Sequence, residues 1–190
     1  MYNLSEDTMI WFTADTHFGH KNIIRFCDRP FKDIYEHDTK IATYWNDVVS
    51  EKDIVYHLGD LAFFNNRNKN AIIDLVNTLN GKKYLIPGNH DRKIGLIKDK
   101  TQFTVLPPYH ELNVKDEELG KATIILCHYP FERWNKAHYG SFHLHGHCHG
   151  VIKNKKSRMD VGIDAVGYTP ISLNDIKVRF TRALLKNKMK

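Results

Sequence analysis

Short apolar runs alternate with longer amphipathic segments along most of the chain. The runs have the length and composition of buried β-strands, and they span Met9–Ala14, Ile54–Leu58, Lys83–Ile86 and Ala122–Cys127. Apolar residues recur every three to four positions between Asp33 and Val49, which predicts an amphipathic helix. A second helix is predicted around Ile72–Leu79, ended by Asn80-Gly81. This alternation of strands and helices indicates an α/β core.

The C-terminal segment supports two interpretations. Ser172-x-x-Asp175 resembles a capping box and predicts a helix from Leu173 to about Lys186. Val178 and Phe180 favour extended structure, so a strand remains the alternative. No linker or repeat interrupts the chain, and we expect residues 1–190 to form a single domain.

Composition excludes several classes of protein. Residues are 42% hydrophobic and 26% charged, and no apolar run approaches the roughly 20 residues of a membrane span. The first residues lack the basic start and long apolar stretch of a secretory signal. Three widely spaced cysteines predict reduced thiols rather than a disulfide framework. The reduced thiols and the lack of a secretory signal together predict a cytoplasmic protein.

The chain has a formal net charge of +6, which favours anionic partners. Part of this charge lies in a basic cluster between Lys153 and Arg158. The cluster is compatible with an ordinary solvated surface or with contact to a polyanion, and both interpretations remain open.

Polar clusters follow the predicted strands directly. They contain carboxylate, amide and imidazole groups, at Asp15, His17, Asp60, Asn89, His90, Asp91, His128, His147 and His149. Ligands of α/β folds gather beyond the carboxyl ends of the strands. A structural zinc site would be closed by four ligands, often thiolates, whereas this donor set suits two ions with open positions.

Two of the clusters have the same spacing. In Asp15-x-His17 and His147-x-His149, an extended backbone would place both side chains of each pair on one side, roughly 6.6 Å apart. One segment could then contact two neighbouring ions. Gly146 and Gly150 would let the backbone turn and approach the ions closely.

Together these blocks carry a family resemblance. Asp-x-His, Gly-Asp, Gly-Asn-His-Asp, a lone His after a strand, and Gly-His-x-His occur in this order across residues 15–149. The set resembles the calcineurin-like metallophosphoesterases. The segments "FGHKNIIRFCDRPF" and "YHLGD" are similar to a small bacterial and phage subgroup. The stretch Leu61-Ala-Phe-Phe64 differs from many larger relatives, which have further polar residues after Gly-Asp.

The resemblance implies a four-layer α/β/β/α sandwich, in which two central β-sheets pack face to face and are flanked by helices. It also implies two divalent ions, with Mn²⁺ the best candidate and Fe, Zn²⁺, Ni²⁺ and Mg²⁺ as alternatives. The implied ligands are Asp15, His17 and His149 for one ion, Asn89, His128 and His147 for the other, and Asp60 for both.

The remaining site residues are expected to act on the substrate. The resemblance implies that His90 reaches the substrate and is oriented by Asp91. His20 and Arg25 lie just past the first ligand pair, and we expect them to bind substrate. His143 and His145 continue the alternating pattern before the last block, and we expect them to pack or to support a ligand.

The predicted activity is hydrolysis of a phosphomonoester or phosphodiester, with a small phosphate ester or a nucleotide as substrate. Two cations about 3.5 to 4 Å apart can bind phosphate oxygens and generate hydroxide near neutral pH. The basic cluster keeps a nuclease as the alternative, so nucleic acid is a possible but less favoured partner. A non-catalytic scaffold of the same fold is the second alternative, and the sequence does not specify the oligomeric state.

Overall fold

The computed structural model describes residues 8–116, 120–155 and 157–188, with side chains described as far as Phe180. Its strands form two sheets. In chain order they are β1 (Ile10–Thr13), β2 (Ile54–His57), β3 (Lys82–Leu85), β4 (Phe103–Val105), β5 (Tyr109–Asp116), β6 (Gly120–Cys127), β7 (Phe142–His145), β8 (Arg158–Asp160) and β9 (Ile171–Ser172).

Both sheets are mixed. The first has the order β4-β3-β2-β1-β9, with β1 to β4 parallel and β9 antiparallel to β1. The second has the order β5-β6-β7-β8, with β5 antiparallel to β6 and the other pairs parallel. The carboxyl ends of β1, β2 and β3 therefore lie along one edge, as do those of β6 and β7.

Within the described residues five α-helices accompany the sheets, and short 3₁₀ helices follow β3 and β6. The α-helices are α1 (Ile23–Phe26), α2 (Ile34–Val48), α3 (Lys69–Asn77), α4 (Ile163–Val166) and α5 (Leu173–Lys188). None of the helices in the described ranges is both long and apolar enough to span a bilayer.

The main core lies between the two sheets. Phe12 and Tyr56 of the first sheet belong to the same buried cluster as Leu126 and Leu144 of the second. A second cluster joins the other face of the first sheet, at Val55, to helices α2 and α3. The predicted arrangement of two face-to-face sheets with flanking helices is confirmed.

The predicted helices form, and local hydrogen bonds mark their starts. Asp33 caps α2 by accepting a hydrogen bond from the amide of Glu36 at 2.8 Å. Ser172 caps α5 by accepting one from the amide of Asp175 at 3.0 Å. The C-terminal segment is therefore a helix, and the strand alternative is wrong.

Strand β7 did not stand out from the sequence because histidines interrupt its apolar pattern. All four of its residues are buried, since both faces of the strand are covered. Leu144 faces the core between the sheets, while the ring of His143 packs against Phe131 and Trp134 at centroid distances of 5.1 and 5.3 Å. His143 also accepts a hydrogen bond from the amide of Phe131, which agrees with its predicted packing role.

Asp53 joins the start of the first sheet to the loop before β2, and its removal is expected to destabilise the fold. The side chain accepts hydrogen bonds from the amides of Met9 and Ser50 and from the indole of Trp11, at 2.9 to 3.0 Å. Burial opposes ionisation, yet these hydrogen bonds keep the pKa of Asp53 below its usual 3.8. The ionised group therefore stabilises the fold above the unfolded-state pKa, and this stability is lost as pH falls through the lower folded-state pKa.

We expect Asp53→Asn to lower the free energy of unfolding by about 2 kcal/mol at pH 7. The difference from the parent protein should shrink below the unfolded-state pKa. Urea unfolding at neutral and strongly acidic pH measures both effects, with Asp74→Asn on the exposed surface of α3 as the control. Equal stability of parent and Asp53→Asn at pH 7 would show that these hydrogen bonds contribute nothing.

Candidate metal centre

The loops that follow the strands meet at one edge of the two sheets. Backbone hydrogen bonds join the loop after β1 to the loop after β2, from Asp15 to Gly59 and from His17 to Asp60, both at 3.0 Å. The amide of His147, after β7, donates to the Asp15 carboxylate at 2.9 Å and so links the two sheets. The predicted ligand blocks are brought together in this way.

Most predicted ligands adopt left-handed backbone conformation, and the predicted extended geometry is wrong. The φ angles are 59° at Asp15, 51° at His17, 56° at Asp60, 70° at His147 and 47° at His149. Each such conformation costs about 1 to 3 kcal/mol at a residue other than glycine. The tight turns, rather than alternation along a strand, bring both side chains of each Asp-x-His or His-x-His pair to the site.

Three glycines give the two buried carboxylates the space that they need. A Cβ atom at Gly146 would lie 2.7 Å from Asp15 Oδ2, and one at Gly162 would lie 2.5 Å from the same oxygen. A Cβ atom at Gly88 would lie 2.3 Å from Asp60 Oδ1. Side chains at these positions would displace the carboxylates, so glycine permits the close packing around them.

The donor atoms fit divalent cations. Asp60 Oδ2 lies between Nε2 of His17, at 3.6 Å, and Nε2 of His128, at 3.5 Å. His17 Nε2 is buried and has no hydrogen-bond partner among the described residues. His128 donates from Nδ1 to the Leu58 carbonyl at 2.8 Å, which leaves Nε2 as the atom with a lone pair for a metal.

These atoms form two overlapping groups around Asp15. Ligand atoms of Asp15, His17 and His149 lie within 4.8 Å of one another, and so do those of Asp15, Asp60 and His128. The first group is the set predicted for one ion. In the second group, Asp15 lies close to Asp60 and His128, which are predicted to bind the other ion.

Asn89 and His147 complete the predicted set beside His128. Asn89 Oδ1 lies 3.1 Å from His128 Nε2. The ring of His147 lies 5.1 Å from the ring of His128 and 4.8 Å from that of Tyr129, measured between centroids. His147 is exposed, unlike the buried Asp60 and His128.

Burial changes the protonation of the central groups. Desolvation raises the pKa of Asp15 to about 7 and lowers that of His17 to about 2, which favours the neutral imidazole that binds metals. Burial alone would also raise the pKa of Asp60, but the hydrogen bond and charge of His128 lower it strongly. The closely packed buried carboxylates, together with the neutral imidazole of His17, form a site that positive charge stabilises.

Sequence reasoning missed the network that holds His149. Its Nδ1 atom donates to Asp164 Oδ2 at 2.7 Å, and Arg29 binds both oxygens of Asp164 at 2.7 and 2.8 Å. Burial opposes a charge on His149, but the hydrogen bond to Asp164 raises its pKa to about 10. Arg29 also donates to the Asp15 carbonyl at 2.7 Å. Asp164 belongs to no recognisable motif, and no sequence pattern indicated its role.

Asp164 fixes the orientation of His149 without belonging to the predicted ligand set. We expect Asp164→Asn to weaken binding of one Mn²⁺ ion by about 10- to 100-fold, because such supporting partners set ligand orientation and basicity. Calorimetric titration of the metal-free protein measures this effect, with the exposed Glu51→Gln as the control. Unchanged affinity at both sites would contradict the supporting role.

Asp91 has partners other than the predicted one. Its carboxylate accepts hydrogen bonds from the amides of Asp60, Leu61 and Gly88 at 2.7 to 3.0 Å, and burial raises its pKa to about 6. Among the described contacts, none joins Asp91 to the imidazole of His90. Asp91 therefore holds the loops after β2 and β3 together through hydrogen bonds to both of its oxygens, and its orientation of His90 stays a prediction.

His90 lies at the rim of the donor cluster. Its ring is exposed and lies 5.2 Å from the ring of His17, while its amide donates to Asp60 Oδ1 at 2.8 Å. His20 is also at this rim, with its Nδ1 atom 3.4 Å from His17 Nδ1. Arg25 is exposed on α1, and its guanidinium lies 5.4 Å from the ring centroid of Phe26. The Phe26 ring in turn packs on His20, so Arg25 is further from the donor cluster than His20 is.

The two packed mixed sheets bring carboxylate, amide and imidazole groups together at the ends of their strands, which defines a candidate metal centre. The family model described as calcineurin-like phosphoesterase matches residues 8–179. The chain belongs to this family, as its sequence motifs indicated.

Individual relatives agree with this assignment. An uncharacterized protein of Methanocaldococcus jannaschii is 34% identical over 172 residues, covering 87% of each chain. The Gene 66 protein of a Mycobacterium phage is 28% identical and covers 82% of this chain and 88% of its own length. The crystal structure of a protein of unknown function from Aquifex aeolicus is similar at a TM-score of 0.69, with 26% identity and coverage of 90% of this chain and 98% of that one.

Proposed function

We propose that this protein is a dinuclear metal-dependent phosphoesterase that hydrolyses phosphomonoester or phosphodiester bonds of small substrates, including nucleotides. The observation that carries the proposal is Asp60 Oδ2, which lies between the Nε2 atoms of His17 and His128 at 3.6 and 3.5 Å. A carboxylate oxygen in this position is suited to bind two cations at once.

The bound cations would supply Lewis acidity toward the phosphate and a hydroxide nucleophile near neutral pH. The seven predicted side chains would hold them, with Mn²⁺ as the first candidate because the donor set mixes nitrogen and oxygen. Fe, Zn²⁺, Ni²⁺ and Mg²⁺ are the alternatives.

His90 is the residue of the chain best placed to move a proton. Its amide is bound to Asp60 and its ring stands beside His17, so the imidazole is held at the edge of the donor cluster while remaining exposed. We assign it the transfer of a proton to the leaving oxygen of the ester. His20 and Arg25 remain our candidates for substrate binding.

Two observations favour a small ester over a polynucleotide. Lys155 pairs with Glu132, and Arg158 is buried and donates to the Phe131 carbonyl at 3.0 Å, so part of the basic cluster serves the fold. Lys156 lies outside the described residues.

The three cysteines are free thiols, which supports the cytoplasmic location that we include in this proposal.

A reconstitution experiment tests this function. Metal is removed with a chelator, Mn²⁺ is restored, and turnover is measured with p-nitrophenyl phosphate, bis(p-nitrophenyl) phosphate, nucleotides, and short DNA and RNA. We expect metal-dependent turnover of small esters that changes little with ionic strength. Exclusive cleavage of polynucleotides, with affinity falling steeply as salt rises, would favour the nuclease. No turnover with any tested metal would favour the non-catalytic scaffold.

A further inference from the structure

A cavity of about 340 Å³ opens beside the donor cluster. One wall is formed by Phe63 and its neighbours in the Leu61–Phe64 stretch, and the other by Asn89, His90, Arg92 and Lys93. The cavity therefore contains both a predicted metal ligand and the residue to which we assign proton transfer to the leaving group.

Phe63 presents an aromatic surface to this cavity. The ring is 47% exposed, although large apolar side chains favour burial. It stacks on His20 at a centroid distance of 4.9 Å and a tilt of 26°, and its backbone amide donates to the Phe18 carbonyl at 2.8 Å. The aromatic surface is thus held in place before any substrate arrives, which suits it to stack on a planar group.

Arg92 and Lys93 add positive charge to the opposite wall. Both are exposed on the 3₁₀ helix Asp91–Leu96 that follows β3. Within the described part of the chain, neither Arg92 nor Lys93 forms an ion pair with a carboxylate, whereas other basic residues do. The pair is therefore available to bind an anionic group of the substrate.

We propose that this cavity selects nucleotides, binding the base against Phe63 and a second phosphate at Arg92 and Lys93. This inference depends on the proposed function. In the reaction, water forms a new bond to phosphorus and releases a proton to solvent, the bond from phosphorus to the leaving oxygen breaks, and that oxygen keeps the electron pair and takes a proton from His90, which solvent then protonates again. The departing nucleoside then occupies the cavity that His90 lines.

Three substrates that differ by one group at a time test the selection. They are ribose 5-phosphate, adenosine 5′-monophosphate and adenosine 3′,5′-bisphosphate, assayed with the Mn²⁺-loaded full chain, and as 5′-methyl esters if only diesters are hydrolysed. We expect the base to raise kcat/KM by about 5- to 100-fold, the range that stacking of one base supplies. The second phosphate should raise it further, by about tenfold.

Variants connect each preference to its residue. Phe63→Leu should bring the ratio of kcat/KM for adenosine 5′-monophosphate over ribose 5-phosphate close to one, whereas Phe63→Trp should keep it. Arg92→Gln with Lys93→Gln should remove the advantage of the second phosphate. The matched control is Tyr35→Leu, which alters an exposed aromatic residue on α2 and should keep both preferences.

A parent ratio near one, or a base preference that survives Phe63→Leu, would overturn the inference while leaving the phosphoesterase intact. Greater dependence on Phe63 for p-nitrophenyl phosphate than for adenosine 5′-monophosphate would also overturn it, in favour of an aryl ester. Absence of metal-dependent turnover with every ester would instead refute the proposed function.

Discussion

Replacing Asp60 by Asn is expected to reduce kcat/KM by about 10³-fold or more for every substrate that the protein hydrolyses. A residue that only supports a metal ligand costs about 10- to 100-fold when changed, and loss of a shared ligand should cost more. Asn keeps an oxygen that can accept the hydrogen bond from the His90 amide, so the loop after β3 should remain in place.

The measurement combines steady-state kinetics with elemental analysis of the Mn²⁺-reconstituted variant. Asp60→Asn should retain the unfolding cooperativity of the parent but lose bound metal. Asp99→Asn, on an exposed 3₁₀ segment, is the matched control and should behave like the parent. Parent-like turnover by Asp60→Asn would refute the role of a shared ligand.

The second large effect is expected for His90→Ala. General acid catalysis contributes about 10²- to 10⁴-fold, and we expect kcat to fall by this factor for esters with alcohol leaving groups. The loss should be much smaller for p-nitrophenyl esters, because p-nitrophenolate leaves without a proton. Metal content should stay that of the parent, since His90 is not among the predicted ligands.

Comparing the two leaving groups separates proton transfer from a purely structural role. His138→Ala removes an exposed imidazole that packs on Tyr139, at a centroid distance of 4.1 Å, and serves as the control. Equal losses with both kinds of leaving group would show that His90 acts on binding or on the fold rather than on the leaving oxygen.

Sequence alone predicted the parts of the fold that depend on local patterns. The runs before Asp15, Asp60 and Asn89 are rich in β-branched and aromatic residues, and each stops at a polar cluster, so strands β1, β2 and β3 were clear. Helix α2 was clear as well, because its apolar spacing and its Asp33 cap agree. Strand β7 was missed because His143 and His145 interrupt its apolar pattern, and His143 is buried through contacts with Phe131 and Trp134 in the loop before the strand.

The candidate site was predictable in its membership but not in its geometry. Motif order identified the residues that meet at the strand ends, whereas the left-handed conformations of Asp15 and His17 accompany backbone hydrogen bonds to the loop after β2. The pairing of Asp164 with Arg29 was missed for the same reason. The two residues lie 135 positions apart, and their role follows from contacts in the folded chain, where Asp164 binds both His149 and Arg29.

The central claim is that two cations share Asp60. Anomalous diffraction at the manganese absorption edge, from crystals grown with Mn²⁺, tests this most directly. The account predicts two peaks about 3.5 to 4 Å apart, one on the His17 side of Asp60 and one on the His128 side. A single peak, or peaks away from the Asp60 carboxylate, would contradict it.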